Sequence, residues 1–255
     1  MLNNVKTIAY YTFREATQNR LFRLSFVGLI CLLGIAEFTG ELAITETRDI
    51  QAALLASIAR WFLLMTSSLF VITSMVREFN DKGTEVILSL PVSRWTYYFG
   101  KYIGFLALSL VISILICLML LLYTDPLALL IWYISLFCEM AIIISLSMLC
   151  VFTFNNVTVA FVVVASFYLL ARSIEAIQLL SISPILETKT FSQEFMTWLA
   201  GAIAFLLPDL AEFTRSDWLV YGTDNGNLPL IIVQTLIYLS ILVSAGIFDL
   251  SRKEL

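Results

Sequence analysis

Glu139 is the residue whose chemistry is hardest to place by accident. It lies near the middle of a long apolar run, where an ionisable side chain costs roughly 2.5–3.5 kcal/mol on insertion scales. Two readings follow: a functional acid, or a packed, hydrogen-bonded carboxyl that fixes contacts between helices. Arg60 lies about two turns inside the end of another apolar run. It either pairs with Glu139 or snorkels to the membrane surface, and snorkelling is the favoured expectation. Arg172 and Glu175 stand one turn apart near the end of a further run and are expected to form an interfacial pair. There is no histidine, so the usual base of serine and cysteine hydrolases is missing, as is a common ligand for zinc and haem. The cysteines Cys31, Cys117, Cys138 and Cys150 all sit in apolar runs without CxxC spacing and read as buried small hydrophobes. No catalytic set and no metal site is expected. The chain also lacks a GxxxxGK[ST] phosphate loop, because Gly100-Lys101 has no upstream glycine at the required spacing.

The elements that carry these residues are set by composition. Hydrophobic residues make up 60% of the 255 and charged residues only 13%, against about 25% charged in soluble domains. The net charge of −4 and the absence of a basic patch give no sign of nucleic-acid binding. A hydrocarbon core of roughly 30 Å needs about 20 helical residues. Six runs meet that length: Leu21–Phe38, Ala52–Met75, Gly100–Tyr123, Leu127–Val151, Val157–Ala176 and Leu228–Phe248. The expected fold is therefore an all-α integral membrane protein with six transmembrane helices, in one domain over residues 1–255. A cleavable signal peptide is not expected, since an amphipathic stretch precedes the first run.

With the N-terminus inside, ten lysines and arginines fall in inner segments and five in outer ones. The positive-inside rule then places both termini in the cytoplasm. Residues 1–20 carry Val5, Ile8, Ala9, Phe13 and Ala16 at helical spacing, with Lys6, Arg14 and Gln18 opposite, which predicts an interfacial helix. The outer segment 177–227 holds the apolar stretch Phe195–Leu207, too short to span and ended by Pro208; it predicts a re-entrant or interfacial helix closing the outer end, with Trp198 and Pro208 as gate candidates. Asn156-Val157-Thr158 fits a glycosylation triplet but falls on the inner side.

The loop 76–99 is the most informative inner segment. Gly83, with Asn80 and Asp81, marks a turn. Thr84–Leu90 suits about two helical turns, Pro91 stops them, and Ser93 can cap the next helix. The result is a short helix displaying Val86, Ile87, Leu88 and Leu90 outside the membrane, among Glu78, Asp81, Lys82, Glu85 and Arg94. An exposed apolar helix of this kind calls for a protein partner.

In this loop the chain resembles the permeases of the ABC type 2 transporter family. The resemblance lies in Glu78, Gly83-Thr84, Leu88-Ser89-Leu90-Pro91-Val92-Ser93-Arg94 and Gly100-Lys101. It continues in Thr12-Phe13-Arg14-Glu15-Ala16 with Arg20, and in Leu207-Pro208-Asp209-Leu210 with Tyr221-Gly222. Within the family the chain looks most like the short permeases of the multicopper-enzyme-maturation group. The resemblance implies a membrane-spanning subunit without enzymatic activity of its own, working as a dimer with a second permease copy. Each copy would dock a separate cytoplasmic ATPase, which holds the ATP and Mg, through a coupling helix. Glu78, Gly83, Thr84, Glu85, Leu88, Leu90, Pro91 and Arg94 are the coupling residues expected from it, export is the expected direction, and a bacterial inner membrane is the expected location. This chain itself is expected to bind no cofactor, while membrane lipid and a periplasmic, outer-side partner complete the expected surroundings. The alternatives are an ATPase-coupled subunit that transmits force without a transported substrate, and an ion-coupled secondary carrier. No internal repeat supports the carrier.

Overall fold

The computed structural model describes residues 2–42, 47–81, 83, 92–182, 191–222 and 228–252. Over these residues the chain is helical, with no strand. The helices are α1 (Leu2–Gln18), α2 (Arg20–Leu42), α3 (Thr47–Asn80), α4 (Arg94–Leu120), α5 (Pro126–Phe154), α6 (Val157–Ile182), α7 (Phe191–Leu206), α8 (Asp217–Tyr221) and α9 (Leu228–Arg252). Six of them, α2, α3, α4, α5, α6 and α9, are long and apolar enough to cross a membrane. Each expected span falls on one of these helices. One boundary is corrected: α4 stops at Leu120, and residues 121–124 turn through backbone bonds to Cys117, Met119 and Leu120 rather than extending the helix to Tyr123.

Local chemistry sets the helix ends. Ser93 has extended backbone angles and its Oγ accepts the Thr96 N–H at 3.3 Å, the expected cap of α4. Pro126 opens α5 after Asp125, where a missing N–H costs nothing. Asn155 closes α5 in the left-handed region, and the Asn156 side chain caps α6 by accepting from Thr158 N at 2.9 Å. The α5–α6 joint therefore needs only these two residues.

The spans α3 and α5 form the enclosed centre, and α2, α6 and α9 lie around them. The core runs through Leu63, Ile72, Met75, Tyr97, Phe105, Trp132, Leu136, Ile144 and Val151. The peripheral helices leave apolar faces uncovered by this chain, for example Leu24, Ile30 and Phe38 on α2 and Leu230, Val233 and Leu236 on α9.

The helix α1 does not stand apart from the bundle. It packs along α4 through Gly100 and Gly104, one turn apart. A Cβ on Gly100 would lie 2.7 Å from Ile8 Cβ, and one on Gly104 would lie 2.7 Å from Thr12 Cβ and 2.9 Å from the Ala9 carbonyl. Small residues let two helix backbones approach this closely. Thr12 and Ala16 are buried as a result, whereas Tyr10 and Tyr11 are exposed. The apolar stripe read from the sequence is thus covered in large part by α4.

Tertiary ties hold the two ends of the bundle. At the end that carries the α3–α4 loop, the Arg94 guanidinium donates to the Leu250 and Ser251 carbonyls at 2.6 Å each, closing the last turn of α9. Thr153 donates to Asp249 there at 2.7 Å. At the opposite end the Tyr123 hydroxyl donates to Glu37 at 2.5 Å. Burial, and then the adjacent Glu37, push this phenol up to about 12, so it remains a donor through the neutral range.

Candidate functional site

Two polar constellations stand out in this apolar protein. The first sits at the root of the α3–α4 loop. Glu78, in the last turns of α3, forms an ion pair with Lys101 on the second turn of α4. The Tyr97 hydroxyl, one turn earlier on α4, donates to the other Glu78 oxygen at 3.0 Å. The Lys101 side chain is only 5% exposed and that of Glu78 12%. A pair this buried is held by geometry, since losing either partner strands a charge in a poor solvent. It joins the two spans at the points where the loop leaves and returns. The cavity beside it, about 640 Å³, lies between α1 and the loop root and is lined by Thr7, Tyr11, Thr12, Glu78, Gly83 and Lys101 among others.

Of the expected coupling residues, the structure places Glu78, Gly83 and Arg94. Gly83 lies against Glu78, where a Cβ would come within 3.2 Å of the Glu78 Cγ. Arg94 is turned to the end of α9, and Glu78 to Lys101, so both hold the bundle's own helices. Thr84, Glu85, Leu88, Leu90 and Pro91, and with them the expected helix Thr84–Leu90, lie outside the described residues. Lys101 and Tyr97 were not among the site residues read from the sequence. The Gly100-Lys101 pair was visible, but nothing in the spacing showed that the lysine reaches back to Glu78.

The second constellation is buried between α3, α5 and α6. Residues 207–216, which join α7 to α8, are not helical, and they enter the bundle: Leu207, Pro208, Leu210, Phe213 and Thr214 are all buried. Thr214 is its node. The Thr214 N–H donates to Ser135 Oγ at 3.0 Å, and its hydroxyl donates to Glu139 Oε2 at 2.7 Å. Arg60 Nη1 donates to the Thr214 carbonyl at 2.8 Å and to the hydroxyl oxygen at 3.3 Å. Arg172 Nη1 lies 3.9 Å from Glu139 Oε1 and donates to the Phe213 carbonyl at 2.7 Å and to the Leu210 carbonyl. Tyr168 lies beside the Glu139 carboxylate and stacks edge-on against Trp61.

Two guanidinium groups thus face one carboxylate, and each also donates through Nη1 to backbone carbonyls of the inserted segment, three in all. Buried charge is tolerated only when it is paired and hydrogen-bonded in this way. Non-helical backbone at such a depth is likewise tolerated only when protein groups satisfy it. Asp209 borders the cluster, within electrostatic reach of Arg172.

This arrangement corrects two expectations. Arg60 does not snorkel: it is 6% exposed and joins Glu139 through Thr214. Arg172 pairs with Glu139 and the carbonyls of residues 210 and 213, not with Glu175, because those acceptors come down to its level. The gate candidates are not brought together. Trp198 points outward from α7 and is 68% exposed, whereas Pro208 is buried at the start of the inserted segment. The apolar stretch expected at Phe195–Leu207 is helical as far as Leu206, but the segment that goes furthest into the bundle is the one that follows it. Thr214 carried no signal in the sequence, since its partners are 75 to 154 residues away.

The ABC-2 family transporter proteins match the chain over residues 33–243, from α2 into α9, a stretch that contains both constellations. No curated protein matches it. The matched stretch is the membrane component of such transporters rather than the ATPase, and membership carries partnership with an ATP-binding-cassette ATPase. With six membrane-length helices and a match over most of its length, the chain belongs to the ABC-2 transporter family as a multi-pass permease subunit.

Proposed function

We propose that this subunit exports its cargo as one half of a permease dimer in an inner membrane, with both termini and the α3–α4 loop in the cytoplasm. The ATPase docks on that loop through the helix Thr84–Leu90. Glu85, Leu88 and Leu90 face the ATPase, with Gly83 and Pro91 bounding the helix. Lipid covers the open faces of the peripheral spans. The observation that carries the reading is the buried Glu78–Lys101–Tyr97 cluster at the loop root. A loop that only connected two spans would not need its ends joined by a desolvated ion pair. A loop that takes up force from a moving partner does, because the pair makes α3 and α4 respond together.

α3 is one unbroken helix from Thr47 to Asn80. Eighteen residues separate Glu78 at the loop root from Arg60 in the buried cluster, roughly 27 Å at about 1.5 Å per residue. Motion at the docking loop would thus reach the far end of the bundle along a single rigid element. Pro208 belongs to the segment that closes that end, and Trp198 stands on α7 just before it. A subunit that passes force to an outer-side partner would share this docking step and this rod; it would differ only in moving no cargo.

The test is Leu88→Asp in the permease co-expressed with its ATPase. A charge on the apolar face of a docking helix should leave membrane insertion unchanged while the ATPase no longer co-purifies. An intact complex with unchanged ATP-driven function would contradict the assignment.

A further inference from the structure

Thr214 has φ +46°. Left-handed backbone is uncommon outside glycine, asparagine and aspartate, and a β-branched residue there is a genuine outlier. Such a conformation persists only where its surroundings over-determine it. Here they do: α3, α5 and α6 each reach residues 210–214 with a polar side chain. Those bonds end on one short non-helical segment, whose apolar residues Leu207, Leu210 and Phe213 fill the space between the spans. On either side α7 and α8 are separate helices, so the segment can move without unwinding a span.

We infer that residues 207–216 form a releasable plug, latched into the bundle by Thr214 together with Arg60, Ser135, Glu139 and Arg172, and that its release opens the end of the bundle remote from the α3–α4 loop. Thr214 is the positioning residue. Its hydroxyl is the group that both accepts from Arg60 and donates to Glu139, so it joins the opposite charges of α3 and α5. Its backbone is held in a conformation that relaxes on leaving. Packing of the plug and strain at its node therefore oppose each other, which makes it a two-state element rather than a permanent brace. The inference deepens the outer-gate part of the proposed function by naming what holds the gate.

The experiment uses the full-length permease, purified in detergent, with its native cysteines replaced by serine. One reporter is Leu210→Cys in the plug, and a second is Met148→Cys in α5, both at buried positions. The rate of maleimide labelling reads the population in which each site is open. Thr214→Val keeps the shape and removes the hydroxyl. It should raise labelling at position 210 by about tenfold or more, the order expected on losing a hydrogen bond to a charged group. Thr214→Ser should stay within about twofold of the parent, and position 148 should not change in either. Unchanged labelling at 210 in Thr214→Val overturns the latch, and so does an equal rise at 148, which would show general loosening of the fold. If Thr214→Val does not accumulate, Ser135→Ala removes the acceptor of the Thr214 N–H at a helix-compatible position. It must raise labelling at 210 likewise, and a failure to do so also overturns the latch. In detergent the reagent reaches both ends of the protein, so the result depends neither on orientation nor on the ATPase. A failed docking test would leave it standing.

Discussion

Lys101 is charged, almost fully enclosed and placed on the second turn of a span, a position that only a matching anion makes tenable. Glu78 supplies it, and Tyr97 holds the second carboxylate oxygen. Replacing Lys101 with Met keeps the stem's length but leaves Glu78 buried without a cation. Breaking one side of a buried pair costs about 3–5 kcal/mol, while replacing both charges is far milder. Lys101→Met should therefore lower the apparent melting temperature of the purified permease clearly, and adding Glu78→Gln should recover more than half of the loss. A double variant no more stable than the single one would mean that the pair is not what holds the loop root. Glu78 was open to inspection in the sequence as part of a motif. Its partner was not, because an ion pair across a loop has no fixed spacing.

At the scale of elements, the contact between α1 and α4 rests on the missing side chains of Gly100 and Gly104. Gly104→Val would place atoms against both the Thr12 side chain and the Ala9 backbone carbonyl, and backbone cannot move aside as a flexible side chain does. Overpacking of this kind costs about 1–3 kcal/mol, and lifting α1 is the way to relieve it. With the native cysteines replaced, a cysteine at the buried position Thr12 should label slowly with maleimide in the parent. Adding Gly104→Val should raise that rate severalfold as α1 lifts; unchanged labelling would show that α1 is not seated by these glycines.

The same scale shows what the sequence makes legible. The six spans follow from length and hydropathy, which are properties of contiguous residues, and the Ser93 cap follows from a local rule. The amphipathic stripe of α1 was readable too, but not which surface would cover it. The expected apolar stretch before the last span is helical as α7, while the motif Leu207-Pro208-Asp209-Leu210 behind it gives no sign in the sequence that it enters the bundle. Its anchoring groups are largely backbone carbonyls, which every residue possesses and no sequence displays. For that reason the sequence favours snorkelling for Arg60 and the local partner Glu175 for Arg172. Once residues 207–216 are in place, burial is their lower-energy position.

Over the whole molecule the two constellations lie at different depths of one bundle, and α3 contributes to both, Glu78 to one and Arg60 to the other. This gives the proposed permease a mechanical logic. In the proposed mechanism the ATPase acts on the α3–α4 loop, the Glu78–Lys101 pair passes the movement to α3 and α4 together, and α3 carries it to the latch on the plug. The central claim is that the ATPase meets the loop end of the bundle and not the end that holds the plug. It is tested most directly by placing a photo-activated cross-linking residue at Leu88 in one variant and at Trp198 in another, in native membranes with the ATPase present. The account predicts that irradiation joins the permease to the ATPase from position 88 and not from position 198. Capture from 198 with none from 88 would contradict both the docking site and the orientation.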